Sequence, residues 1–152
     1  MHNQRAKVSM TPAQFAEHFY NLNYTKPFRF KGREYFIPIY NSNATTELFK
    51  TGRQCAKSTY LCHRILTRAA TDSLQILYEA PKKEQSITFS RQKLDPTIFS
   101  SPKFHRFLKL NSKGIVEDKN VLNFYCFKTG SYIKLSTTFN GVDRDRGLSI
   151  DD

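Results

Sequence analysis

The chain has 152 residues, of which 39% are hydrophobic, 14% aromatic and 24% charged. That profile excludes a disordered segment and fits about one domain, long enough to bury a core without disulfides. Three cysteines (Cys55, Cys62 and Cys126) with no C-x-x-C pair exclude a secreted disulfide scaffold and a zinc knuckle, while a net charge of +11 favours a polyanionic partner, nucleotide or nucleic acid.

The charge is uneven: eleven basic and three acidic side chains fall in residues 1–71. A solvated basic surface without a partner is the plain alternative. The start, Met-His-Asn-Gln-Arg, has no apolar run behind it, and no stretch approaches the ~20 apolar residues of a membrane span. The expectation is a cytosolic chain.

In chain order, Thr11-Pro12-Ala13-Gln14 reads as a helix start, with Thr11 as cap, Pro12 in the first turn and Gln14 closing a capping box. Phe15, Phe19 and Leu22 follow at helical spacing. Residues 28–40 carry two aromatic-rich runs around Lys31-Gly32 and predict a β-ribbon, with Pro38 placing the second run at an edge. Phe28/Phe30 and Tyr35/Phe36 are read as core residues in preference to base-stacking platforms. Residues 47–50 predict a short strand leading into a loop and a helix over 57–70. That helix sets Leu61, Ile65 and Ala69 on one face, Cys62 and Leu66 beside them, and Arg64 and Arg68 on the other side.

A strand over 74–78 and a helix over 82–94 then complete a βαβ pattern, so the expected sheet is parallel. Residues 96–110 read as short helical pieces broken by Pro102. After Gly114 the spacing predicts strands at 115–116, 121–127 and 132–136, the last two joined by the turn Lys128-Thr129-Gly130-Ser131. The tail from Asn140 to Asp152 is polar. His18, His63 and His105 have no patterned partners and read as surface or packing residues, and no nucleophile triad is visible. Cys62-His63 is not a ligand pair, because adjacent helical residues point apart.

The chemistry concentrates at Thr51-Gly52-Arg53-Gln54-Cys55-Ala56-Lys57-Ser58-Thr59. A Gly-rich turn between strand and helix binds phosphate through backbone N–H groups and the positive end of the helix. Its Lys reaches the β/γ-phosphates and its Ser or Thr holds Mg²⁺. Against the pattern G-x-x-x-x-G-K-S/T, Lys57 and Ser58 match. Thr51 and Ala56 replace the glycines, with Gly52 one place late.

The string from Gly52 to Thr59 resembles the variant Walker A loop of phage terminase large subunits, the ATPases that package viral DNA. Tyr78-Glu79-Ala80-Pro81, with Gln85 and Phe89-Ser90, is similar to that family's second strand and following helix. Phe127 to Ser131 resembles its later hairpin, and Asp145 to Asp151 its Arg-Gly segment ahead of Walker B. The aromatic lead-in at residues 28–40 fits as well.

The resemblance implies an α/β, P-loop NTPase-type parallel sheet with flanking helices. Residues 1–41 form an N-terminal helix and β-ribbon lead-in, and residues 42–152 a partial ATPase domain. It also implies ATP and Mg²⁺ as cofactors. Gly52, Arg53, Gln54, Cys55, Ala56, Lys57, Ser58 and Thr59 bind nucleotide, and Ser58 ligates Mg²⁺ with Thr59 as an alternate hydroxyl. Lys57 and Arg53 act on the phosphates, Arg53 neutralising charge on the transferred group. Gln54 orients the loop or a water, and Arg146 is a second phosphate sensor.

The implied partners are double-stranded DNA, the portal protein, the small terminase subunit and further copies of the chain, in the host cytoplasm. The sequence departs from the family at Ala56 and at its end, where Asp151-Asp152 stands ahead of Walker B and the nuclease domain. The expectation is therefore a fragment, a split gene product or a truncated frame that hydrolyses ATP poorly or not at all alone. A helicase-like P-loop fragment and a non-enzymatic basic nucleic-acid-binding module are the competing readings.

Overall fold

The computed structural model describes residues 10–124 and 126–138. Helix α1 (Pro12–Phe19) begins as its sequence requires: Gln14 N donates to Thr11 Oγ1 at 3.3 Å and Thr11 N to Gln14 Oε1 at 2.9 Å. Ala13, Phe15, Ala16 and Phe19 form its buried face. The helix stops at Tyr20, whose extended backbone (φ −100°, ψ 145°) turns the chain into β1 (Asn21–Asn23), paired with β2 (Lys26–Pro27). Leu22, expected on the helix face, therefore lies on β1 and is exposed.

The aromatic β-ribbon over 28–40 does not form. Phe28 and Phe30 are buried, Gly32 turns the chain at φ +76°, and a 3₁₀ turn (Glu34–Phe36) leads into the short helix α2 (Ile37–Tyr40). Phe36 and Tyr40, four residues apart, reach the same core only on helical backbone. Pro38 accordingly sits in the first turn of α2, where its missing N–H is not needed, and not on a strand edge.

No strand forms at 47–50 either. Leu48 is 95% exposed, and Phe49 leans on the Tyr60 ring with centroids 5.0 Å apart. The chain enters α3 (Lys57–Thr71) directly from irregular backbone. This helix buries Tyr60, Cys62, His63, Ile65, Leu66, Thr67, Ala69 and Ala70. Leu61, expected in the core, is turned outward and exposed.

Strand β3 (Gln75–Ala80) follows, then α4 (Lys83–Phe89), a wide π-type turn (Ser90–Leu94) and α5 (Asp95–Phe99) in one unbroken coil. A 3₁₀ segment (Pro102–Phe107) starts at the proline expected to break the helix. Residues 115–116 make no strand, only an isolated bridge between Leu110 and Val116. Of the strand expected over 121–127, only β4 (Asn123–Phe124) forms among the described residues, and it pairs antiparallel with β5 (Tyr132–Thr137). Cys126 and Lys128 bond instead to Lys109 and Phe107, so the turn at 128–130, where Gly130 has φ +82°, does not close a tight β4/β5 hairpin.

The fold is mixed α/β, with one two-stranded and one three-stranded sheet among the described residues. In the larger sheet, β5 lies between β3 and β4. It pairs parallel to β3 from Gln75↔Tyr132 to Ala80↔Thr137 and antiparallel to β4. The parallel pair is thus joined through α4, α5 and the following loops, and the βαβ unit expected around the 51–58 loop is not formed.

Ile133 and Leu135 point from β5 into a core shared with Leu66, Phe104 and Phe124. Three hydroxyl contacts fasten the C-terminal end of α3 to the turn that feeds β5. Thr129 Oγ1 donates to Ala69 O at 2.6 Å, Ser131 Oγ to Asp72 O at 2.6 Å, and Leu74 N to Ser131 Oγ at 2.9 Å.

Candidate functional site

The residues that carry chemistry, 51–59, span an exposed loop and the first turn of α3. Two of them occupy left-handed backbone: Gln54 at φ 61° and Ala56 at φ 56°, ψ 14°. Gly52 is not among the residues of positive φ. The conformation that glycine serves in such loops is therefore adopted here by residues with a Cβ, at a strain of about 1–2 kcal/mol each. A left-handed residue beside a right-handed one turns successive N–H groups to one side, and the step from Ala56 into the helix has that form.

The first bonds of the helix run from Thr59 N and Tyr60 N to Ala56 O, at 3.1 and 3.0 Å. Cys55 N–H turns back toward Gly52 O in a tight turn at Arg53-Gln54. The backbone N–H groups of residues 53, 54, 56, 57 and 58 have no acceptor among the described residues, and they lie at the positive end of a 15-residue helix.

Arg53, Lys57 and Ser58 are exposed. Neither Arg53 nor Lys57 forms an ion pair with a described residue. Cys55 is half-buried, its Sγ 3.5 Å from Arg53 O. Thr59 is also half-buried and, with Ala56, faces a crevice walled by Phe28, Phe30 and Phe36. Its volume of about 10 Å³ is of the order of one water, so there is no room for a base behind the loop. The loop thus offers amides, one guanidinium, one ammonium and the hydroxyls of Thr51, Ser58 and Thr59, a donor set suited to phosphate oxygens. Arg146 and the Arg-Gly segment lie outside the described residues.

Below the loop, α3 is anchored by a buried polar cluster. His63 is stacked on Tyr20, with centroids 4.4 Å apart and planes inclined by 22°, and its Nδ1 is 2.9 Å from Tyr40 Oη. Burial, with Lys93 nearby, pushes its pKa down to about 3, so the ring is neutral. Tyr20 Oη lies 2.9 Å from Thr67 Oγ1, and burial holds the Tyr20 phenol well above its usual range. Cys62 is pushed up to about 12 by burial and so is an inert packing thiol. Histidine as a packing residue is the sequence expectation; the tyrosine pair that accommodates it is not visible in the sequence.

A second feature missed from sequence is a cleft of about 330 Å³ on the outer flank of α3, bordered by Ser42, Thr45, Tyr60, Arg64, Arg68 and Thr71. Among the described residues, no group of three or more His, Cys, Asp or Glu is gathered to hold a metal, and no helix is long and apolar enough to cross a membrane. No family model, curated protein or solved structure matches the chain.

Proposed function

We propose that residues 51–59 are the phosphate-binding loop of a DNA-packaging motor ATPase of the terminase large-subunit type. In this reading the chain binds ATP with Mg²⁺ within a P-loop NTPase fold and acts on double-stranded DNA. The observation that carries the reading is the set of unpartnered amides around the turn, at 53, 54 and 56–58 among the described residues, bent through left-handed Gln54 and Ala56 onto the positive end of α3. Lys57 contacts the β- and γ-phosphates, and Ser58 ligates Mg²⁺ with Thr59 as alternate. Arg53 neutralises charge developing on the γ-phosphoryl group, and Gln54 orients the loop or a water.

The basic surface supports a DNA partner. The portal protein, the small subunit, further copies of the chain and a site of action in the host cytoplasm follow from the resemblance. The parallel β3/β5 pair fits a P-loop sheet, whereas residues 47–50 contribute no strand to it.

The competing nucleic-acid module loses most of its stacking platform: Phe28, Phe30 and Phe36 are 5%, 3% and 4% exposed and belong to the core, whereas Tyr35, expected to pack with them, is 61% exposed. A helicase-like loop ordinarily keeps glycine before its lysine, where this chain has Ala56. The test is titration with a fluorescent ATP analogue in the presence of Mg²⁺. Binding lost in Lys57→Ala with DNA binding retained supports the reading. An unmodified chain that takes up no nucleotide but retains single strands refutes it.

A further inference from the structure

We infer that Glu47 is a positioning residue for the 51–58 loop, acting through Tyr60 and Arg64; this rests on the nucleotide-binding reading above. The loop needs such a residue. Between α2 and α3 lie sixteen residues without regular structure, and the strand that would hold the loop from its N-terminal side is missing. A free segment of that length samples many shapes, and the ordering entropy must be met before its amides can converge on one ligand.

Glu47 supplies the missing attachment. Its Oε2 accepts from Tyr60 Oη at 2.7 Å, and its Oε1 lies 3.3 Å from Arg64 Nη2. Arg64 Nη1 in turn donates to Tyr60 Oη at 3.1 Å and to Ser42 O at 3.3 Å. Glu47 and Arg64 are only 17% and 22% exposed, so the pair is screened far less than a surface ion pair. Phe49 adds a ring contact to the same tyrosine.

The geometry gives this clasp its meaning. Tyr60 is one turn into α3, and its own N–H bonds to the left-handed Ala56. The contact from Glu47 to Tyr60, thirteen positions apart, therefore closes a ring that contains the whole 51–58 stretch. Both ends of the loop are referred to one side chain, so the spacing between the lead-in and the helix end is fixed.

The experiment measures binding of a fluorescent ATP analogue with Mg²⁺, amide hydrogen exchange and thermal midpoint for the unmodified chain, Glu47→Ala and Glu47→Gln. If removing the clasp leaves about one loop in ten correctly shaped, Glu47→Ala weakens binding about tenfold. Exchange then accelerates at residues 52–58 while the middle of α3 stays protected. Glu47→Gln, which still accepts from Tyr60, restores most of the affinity.

Equal affinity of Glu47→Ala and the unmodified chain overturns the inference and leaves the nucleotide-binding reading standing. Failure of the unmodified chain to bind overturns both. Should Glu47→Ala not fold, Glu47→Gln and Tyr60→Phe decide: Tyr60→Phe binding as tightly as the unmodified chain overturns the clasp, and weakened binding with a retained melting transition sustains it.

Discussion

Acidifying the solution from pH 7 to pH 5 acts on the fold through His63. In the unfolded chain its imidazole takes a proton near pH 6.5, whereas in the folded chain it does so only near 3, because burial against Tyr20, Tyr40 and Phe28 leaves no water to solvate an imidazolium. Lys93 opposes the charge as well. A depressed folded pKa means that the unfolded state binds more protons anywhere between the two values. The contribution is therefore complete above about pH 6.5 and is lost as the pH falls toward 3.

Integrating the linkage relation for an unfolded value near 6.5 gives a loss of about 2 kcal/mol between pH 7 and 5, nearly independent of how far below 4 the folded value lies. The assay is urea unfolding of the unmodified chain and of His63→Phe at pH 7, 6 and 5. The phenyl ring keeps the stack on Tyr20 and removes the titration, while carboxylates elsewhere affect both chains equally. The stability difference between the two should shift by about 2 kcal/mol in favour of His63→Phe on acidification. A difference that stays constant with pH refutes the account of a buried neutral histidine.

Lys57→Ala should weaken binding of the ATP analogue by about tenfold or more, as expected for loss of a charge-assisted phosphate contact, with an unchanged far-UV spectrum. Ala56→Val places a β-branched residue in left-handed backbone and should lower urea-unfolding stability by about 1–2 kcal/mol, whereas Ala56→Gly should relieve strain and raise nucleotide affinity. Affinity for a double-stranded oligonucleotide should fall as salt rises, with a log–log slope of about −0.9 per phosphate neutralised; a flat profile argues against a basic DNA face. Leu66→Ala removes a fully buried side chain from α3 and should cost about 2–5 kcal/mol in the same unfolding assay.

Much of the frame can be read from the sequence where the signal is local. The Thr11/Gln14 box fixes the start of α1, and the apolar spacing after Lys57 locates α3 to within a residue of its end. The turn at 128–130 forms where expected, although the residues before it pair with 107–109 and only Asn123 and Phe124 pair with β5 as a strand. The failures arise where tertiary packing chose between two periods. Phe28 and Phe30 alternate as in a strand, but Phe36 and Tyr40 repeat as in a helix, and burial of all four in one cluster selects a bend between the two patterns. Leu61 departs from its expected core face because α3 buries an arc centred on polar His63 and Thr67, tolerable through hydroxyls of Tyr20 and Tyr40 distant in sequence. At 47–50, two apolar residues in a polar setting suggest a strand, yet no partner strand meets them, and Glu47 serves as an anchor instead. In the candidate site, Lys57 and Ser58 were legible from their order, while the left-handed turn at Gln54 and Ala56 was not, since neither is glycine.

The hydroxyl ties at Thr129 and Ser131 bolt the far end of α3 to the loop that feeds the central strand. Nearer its start the same helix is gripped by Tyr20 and Tyr40 around His63. A rod about 22 Å long that is held at two points does not pivot, so Lys57 and the amides before it keep a set distance from the sheet.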